Sequence, residues 1–96
     1  MSVYFIVQIQ ITDEAVYQNY LNSANDIFEK YKGKYLAVDD MPMCLEGFWD
    51  EARIVLIEFP SKEDFKAWYC SDEYQGILKY RLKGALCDSI LISGNN

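Results

Sequence analysis

The order of apolar patterns along the chain limits its fold more than any other feature. Apolar residues alternate over Val3–Ile11, which predicts a strand with one strongly apolar face. Asp13 is placed to cap a helix, and apolar residues then recur at spacings of three and four as far as Tyr31. Two further runs, Lys34–Val38 and Arg53–Phe59, predict a second and a third strand.

The segment between these two strands has no clear periodicity. Asp39-Asp40-Met41-Pro42 ends the second strand, because proline cannot donate a hydrogen bond within a central ladder. We expect Met43–Trp49 to continue as an extended segment and Asp50-Glu51-Ala52 to form a turn.

After the third strand, the sequence predicts a helix that is divided in two. Ser61 caps the first half, and Ser71, followed by two acidic residues, caps the second. An apolar stripe on the second half includes Arg81, and Gly84 ends the helix. Asp88–Ser93 is the last predicted strand.

The resulting order is β-α-β-β-α-β in 96 residues. This order predicts a single α+β domain over residues 1–96, with a ferredoxin-like antiparallel sheet and helices on one face. Both faces of the first strand carry apolar residues, and Arg53–Phe59 is apolar almost throughout. Because the second face of the sheet needs a cover, we expect a homodimer in which two sheets meet face to face.

Charge and composition exclude several kinds of partner. The net charge of -6 and the pI of about 4.4 disfavour nucleic acid as a partner.

The apolar run at the start is too short to span a membrane and is interrupted by Gln8 and Gln10, and no signal peptide is recognisable. The three cysteines form no CxxC pair, which indicates reduced thiols in the cytoplasm.

The absence of histidine is informative about chemistry. It excludes Ser-His-Asp and Cys-His nucleophile systems, histidine metal sites and a haem with a proximal histidine. Acid–base work would fall to carboxylates, tyrosines, lysines or cysteines. We expect no metal and no cofactor.

Several segments resemble one bacterial family of small uncharacterised proteins, the domain-of-unknown-function family 1330. The resemblance rests on "DEAVYQNY", "KYKGKYLAV", "CLEGFW", "RIVLIEFPSKEDFKAWYCSDEYQ" and "ILKYRL" and covers nearly the whole chain. It implies a dimeric α+β barrel, a fold whose members include cofactor-free monooxygenases, isomerases and lactone-forming enzymes, as well as haem-dependent proteins. Where the family usually has glycines, this chain has Lys32 beside Gly33, and Asp39-Asp40.

Four residues are candidates for binding a small molecule: Arg81, Trp68, Tyr69 and Trp49. Arg81 matches the family's arginine, and its guanidinium would suit a ligand carboxylate. The alternatives are a structural ion pair with Glu58 or Glu46, or an exposed end of the side chain. The aromatic residues would form the wall of an apolar pocket, or else serve only core and dimer packing.

Two residues are candidates for catalysis. Glu46 matches the family's glutamate and, if partly desolvated, would act as a general base, while Tyr74 would orient the ligand or move a proton. The alternative for Glu46 is a structural ion pair with Arg53 or Arg81 at a strand end. The sequence therefore favours a homodimeric small-molecule-binding protein or a cofactor-independent enzyme, isomerase- or monooxygenase-like, acting on a small carboxylate or aromatic metabolite. A ligand-sensing or protein-interaction module stays as the alternative, and the sequence does not decide whether the protein is an enzyme.

Overall fold

The computed structural model describes residues 1–49 and 52–95. Their regular elements follow in the order β1 (Val3–Ile11), α1 (Glu14–Glu29), β2 (Lys34–Asp39), β3 (Arg53–Phe59), α2 (Lys62–Tyr69), α3 (Asp72–Gly84) and β4 (Ala85–Ser93). The four strands form one sheet in the order β2-β3-β1-β4. Each neighbouring pair is antiparallel, which confirms the predicted ferredoxin-like α+β fold.

The predicted helix caps are present. The Val16 backbone amide donates to the Asp13 carboxylate at 3.2 Å at the start of α1. The Asp64 amide donates to the Ser61 hydroxyl at 3.1 Å at the start of α2. Each cap satisfies a backbone donor that would otherwise have no partner within its helix.

Ser71 joins the two halves of the divided helix. Its hydroxyl donates to the Trp68 carbonyl at 2.8 Å and accepts from the Tyr74 amide at 3.1 Å. The same side chain therefore satisfies a carbonyl at the end of α2 and begins α3. The cut in the helix that the sequence predicts is confirmed, and Trp68 and Tyr74 lie on either side of it.

The chain departs from expectation at its last strand. Met43–Trp49, expected to be extended, contains no helix or strand, and of the turn expected at Asp50-Glu51-Ala52, Asp50 and Glu51 lie outside the described residues. The last strand begins at Ala85, three residues before Asp88, because β4 pairs with β1 as far as Ala85 opposite Ile11.

Gly84 makes this early strand start sterically feasible. The backbone amides of Thr12 and Asp13 both donate to the Gly84 carbonyl, at 2.8 and 3.0 Å. A Cβ atom on Gly84 would lie 2.7 Å from the Tyr17 nitrogen. The end of α3 therefore packs directly on the first turn of α1 because this position has no side chain.

The turn after α1 explains one of the departures from the family pattern. Lys32 adopts a φ of 61°, in the left-handed region that favours glycine. The next residue, Gly33, has no room for a side chain, because a Cβ atom would lie 2.2 Å from the Phe28 ring. The turn therefore tolerates lysine at the first position and requires glycine at the second.

The two faces of the sheet differ in what covers them. Phe5 pairs with Ile57 on one side and Leu91 on the other, in a row beneath the helices that we call the covered row. The neighbouring residues Leu56, Ile6 and Ile90 form a second row on the opposite face, which we call the open row. Phe5 and Ile57 are each 4% exposed, whereas Ile90 is 58% exposed.

No helix within residues 1–49 and 52–95 is long and apolar enough to cross a membrane.

Candidate functional site

A cavity of about 390 Å³ lies between α1 and the covered face of the sheet. Its floor consists of alternating residues of the two central strands: Phe5, Val7, Ile9, Val55 and Ile57. Its roof is formed by one side of α1: Tyr17, Tyr20, Leu21 and Asn25. A volume of this size falls within the usual range for small-molecule sites.

The mouth of the cavity lies between α1 and the edge strand β2. The lining residues Leu21, Tyr35 and Val38 are 40–47% exposed, whereas the floor residues are buried. A ligand would therefore enter across the edge of the sheet.

Arg81 closes the inner part of the cavity. It is 2% exposed, and its Nε and Nη1 atoms have no acceptor among the described residues. Its guanidinium carbon lies 5.9 Å from the centroid of the Tyr20 ring. Such a group is costly to bury alone, because a buried charge is normally paired or bound to a ligand.

The helical spacing of α3 explains why Arg81 points inward. Tyr74, Leu78 and Arg81 are the buried side chains of α3. They recur at spacings of four and three and so lie on the same helical face. This face packs on α1 and carries Arg81 to the cavity.

The buried donors without a partner are concentrated at this cavity. Within the described part of the chain, four buried side-chain nitrogens have no acceptor: Arg81 Nε, Arg81 Nη1, Arg53 Nε and Trp68 Nε1. All of them belong to residues that line the cavity. Because buried polar groups are almost always hydrogen-bonded, these donors need acceptors from outside the described residues, which ordered water or a bound small molecule would supply.

Two phenols stand beside Arg81. The hydroxyls of Tyr20 and Tyr74 are 2.8 Å apart, and either can be the donor. Burial raises the pKa of both tyrosines, and the Arg81 guanidinium offsets this only partly. Both phenols are therefore neutral at physiological pH and act as hydrogen-bond donors rather than as bases.

Arg53 brings a second guanidinium to the cavity wall. It begins β3 and faces the helices, two residues before the buried Val55. Its Nη1 atom is 2.5 Å from the Asp40 carboxylate, whose side chain is 74% exposed. Asp40 therefore binds one end of the guanidinium from the solvent side.

The charge of the cavity is opposite to that of the whole protein. Its described lining contains two arginines and no aspartate, glutamate or lysine, although the net charge of the chain is -6. The site is therefore a cationic, largely apolar cavity in an acidic protein, which suits an anion with an apolar body.

The structure gathers four of the six predicted site residues in one region. Arg81 and Trp68 line the cavity. Tyr74 lies behind Tyr20 and is 1% exposed. The Tyr69 ring is 5.7 Å from the Tyr74 ring and is not part of the lining.

Glu46 and Trp49 lie elsewhere. Both line a separate depression formed by the β2–β3 loop and Ile54, and both are exposed. Ile54 belongs to the open face of the sheet, since it alternates with the buried Val55. The β2–β3 loop has no periodicity that fixes its direction, so the sequence could not place it. Nor does Glu46 pair with Arg81: the ion pairs of the described residues are Lys30–Glu73 and Arg53–Asp40.

Sequence reasoning missed Tyr17, Tyr20 and Arg53 as site residues. Arg53 could have been predicted to face the helices, because residues 53, 55 and 57 of a strand lie on the same face and Val55 and Ile57 are apolar. Tyr20 lies on the apolar stripe of α1 and carries a polar tip. Tyr17 is buried although it is outside the expected stripe, because α3 packs closely on the first turn of α1.

No group of three potential metal ligands occurs among the residues that the structure describes. Their three cysteines are all free thiols.

These features define the class of protein: a ferredoxin-like α+β domain with a cavity under its helices. The chain belongs to the family described as a domain of unknown function (DUF1330), whose model matches residues 2–95. This confirms the family resemblance in the sequence. A comparison with curated protein sequences finds no match.

Solved structures share the fold at low sequence identity. A protein of unknown function from Rhodopseudomonas palustris, RPA0582, is 17% identical with a TM-score of 0.81, covering 99% of this chain and 83% of its own. SnoaB, a cofactor-independent oxygenase from Streptomyces nogalater, is 9% identical with a TM-score of 0.69, covering 99% and 94%. A dimeric ferredoxin-like protein of unknown function from Bacteroides fragilis is 14% identical with a TM-score of 0.63, covering 97% and 96%.

Proposed function

We propose that this protein binds a small organic anion, an aromatic or otherwise apolar carboxylate, in the cavity between α1 and the sheet. The observation that carries the proposal is Arg81, which is buried at an apolar cavity with two nitrogens that have no acceptor. A ligand carboxylate would accept from this guanidinium, and the apolar body of the ligand would lie against Trp68 and the floor.

Binding without proton abstraction is the form of this function that the cavity favours. Its described lining contains no carboxylate, lysine or cysteine that would serve as a general base. The adjacent phenols of Tyr20 and Tyr74 hold their protons, because burial raises their pKa. Glu46, the base that the sequence suggested, lines a different depression.

A cofactor-independent reaction on the bound anion is the second candidate. It is supported by the Tyr20–Tyr74 hydroxyl pair, which would stabilise an oxyanion beside Arg81 through neutral donors. SnoaB, which shares the fold, is described as a cofactor-independent oxygenase. Recovery of the incubated ligand unchanged, with no oxygen consumed, would favour binding alone.

The binding proposal is tested by fluorescence titration, with Trp68 as the reporter. Trp49→Phe removes the other tryptophan, which lies outside the cavity. The probes are 3-phenylpropionate and its neutral amide, which differ in charge but hardly in shape. We expect the carboxylate to bind at least about tenfold more tightly than the amide, because charge-assisted hydrogen bonds are the stronger ones.

The decisive variant is Arg81→Gln, with Lys83→Gln as its matched control on the same helix. Lys83 is exposed and its replacement removes the same charge. Arg81→Gln should abolish the preference for the carboxylate, and Lys83→Gln should leave it intact. If the protein that retains Arg81 binds the carboxylate and the amide equally well, the proposal is refuted.

We also propose that two copies pair through the open face of the sheet. Ile90 and Ile92 are 58% and 43% exposed on that face, and the similar fold from Bacteroides fragilis is described as dimeric. Sedimentation should show a dimer that Ile90→Asp dissociates. The matched control is Leu82→Asp on α3, where the leucine is 57% exposed. Dissociation by both variants, or by neither, would contradict this interface.

A further inference from the structure

The proposed binding of a simple carboxylate by Arg81 leaves the second guanidinium of the cavity without a role. We propose that Arg53 is a second anion-binding residue, and that the ligand carries two acidic groups on an apolar body. One acidic group would bind Arg81 and the other Arg53. This inference rests on the proposed function, because it needs the same cavity to be a binding site.

The register of the sheet places Arg53 close to the Arg81 end of the cavity. Arg53 pairs with Ile9 of β1, and Ile9 pairs with Cys87 of β4 on its other side. Burial raises the pKa of the Cys87 thiol, and the nearby Arg81 guanidinium partly offsets this rise. The two arginines therefore lie near the same end of β1, one on the neighbouring strand β3 and one on α3.

The pKa of Tyr17 is affected by the charges of both arginines. Burial raises the pKa of Tyr17, and the guanidiniums of Arg53 and Arg81 both oppose that rise. A single phenol in the roof of the cavity is thus within electrostatic reach of both arginines. A charged ligand in the space below it would also interact electrostatically with both guanidiniums.

Arg53 retains donors for a ligand despite its ion pair. Asp40 accepts from Nη1, whereas Nε is buried without an acceptor. The Asp40 side chain is 74% exposed, and ion pairs exposed to solvent contribute little stability. A ligand carboxylate would therefore compete well with Asp40, or bind Arg53 beside it.

The size of the cavity agrees with a compact ligand of this kind. About 390 Å³ accommodates one ring and a short chain rather than an extended molecule. The ring would contact Trp68 and Phe5, which are 5.8 Å apart between ring centroids. The two acidic groups would lie toward the arginines, away from these aromatic rings.

The test compares two probes that differ by one carboxylate, 3-phenylpropionate and phenylsuccinate, each titrated into the full-length protein by calorimetry. We expect the better enantiomer of phenylsuccinate to bind at least about tenfold more tightly than 3-phenylpropionate. Arg53→Gln should remove most of that advantage, because it should weaken the binding of phenylsuccinate much more than that of 3-phenylpropionate. Arg81→Gln should weaken the binding of both probes.

Asp40→Asn provides an independent variant that keeps Arg53 in place. It removes the competing carboxylate, so it should increase the affinity for phenylsuccinate more than that for 3-phenylpropionate. Lys83→Gln is the surface control for loss of one positive charge and should change neither affinity.

The outcomes separate this inference from the function on which it rests. If 3-phenylpropionate binds through Arg81 but phenylsuccinate binds no better, the second anion site is refuted and the proposed function stands. The same holds if Arg53→Gln weakens the binding of both probes equally. If neither probe binds the wild-type protein, both proposals fail.

Discussion

The covered row and the open row contain similar residues but have opposite surroundings. Phe5 and Ile57 of the covered row are each 4% exposed, while Ile90, one residue before Leu91, is 58% exposed on the other face. Strand alternation gives both rows comparable apolar character. The difference arises only from the helices, which cover one face and also enclose the cavity there.

This difference indicates what each face requires for completion. The helices of the same chain bury the covered face. The exception is the cavity, where arginine and tryptophan nitrogens have no acceptor among the described residues. The open face is apolar and would be completed by a second copy. Polar donors without partners indicate a ligand, whereas an apolar surface without a cover indicates another protein surface.

The largest expected difference between the two faces is in packing energy. Ile57→Ala should lower the free energy of unfolding by about 2–5 kcal/mol, because it leaves a cavity in the core. Denaturant unfolding at several protein concentrations measures this loss, which should not depend on concentration.

Ile90→Ala is the matched change in the open row. Its effect should grow as the protein concentration rises, because the contacts of Ile90 would come from a second copy. A large effect of Ile90→Ala that is independent of concentration would contradict the assignment of the open face as an interface.

The second effect concerns the cost of keeping Arg81 buried. Arg81→Met should stabilise the ligand-free protein by about 1–3 kcal/mol, because it removes a buried charge with donors that lack acceptors. A thermal melt should rise by about 4–8 °C for each kcal/mol gained. Destabilisation instead would mean that the guanidinium has a structural role.

A smaller effect is expected at the junction between α2 and α3. Ser71→Ala should lower the free energy of unfolding by about 1 kcal/mol, because it removes the cap of α3 and the bond to the Trp68 carbonyl. Ser71→Asp would restore the capping acceptor alone and should recover part of the loss. An unchanged unfolding midpoint for Ser71→Ala would show that the junction is held by packing.

The smallest expected effect is a loss of stability at high pH, caused by the buried phenol of Tyr20. The pKa of Tyr20 is raised above the ordinary value of 10.0, mainly by burial. The unfolded chain therefore ionises first, and the stability is complete below about pH 10 and falls as the pH rises further. Denaturant unfolding between about pH 9 and pH 11 should show this fall, and a smaller one in Tyr20→Phe. An equal slope in both proteins would contradict the burial of this phenol.

Much of the fold could be predicted because its signals are local. The limits of β1 follow from alternation and those of β3 from an almost continuous apolar run, and Asp13, Ser61 and Ser71 cap their helices as expected. The inward direction of Arg81 also follows from helical spacing.

The site could be predicted only in part because it depends on contacts between distant segments. Tyr20 and Tyr74 meet across 54 positions of sequence, and no local pattern specifies that pairing. The loop that carries Glu46 and Trp49 lacks a repeating pattern, so its direction depends on tertiary packing alone. The sequence therefore indicated residue types suited to a site without showing which of them share it.

The most direct test of the central claim is a crystal structure of the protein soaked with 3-phenylpropionate. We predict the carboxylate within hydrogen-bonding distance of the Arg81 guanidinium and the ring against Trp68. A ligand bound only outside the cavity, or a carboxylate turned away from Arg81 toward solvent, would contradict the assignment of Arg81 as the anion-binding residue.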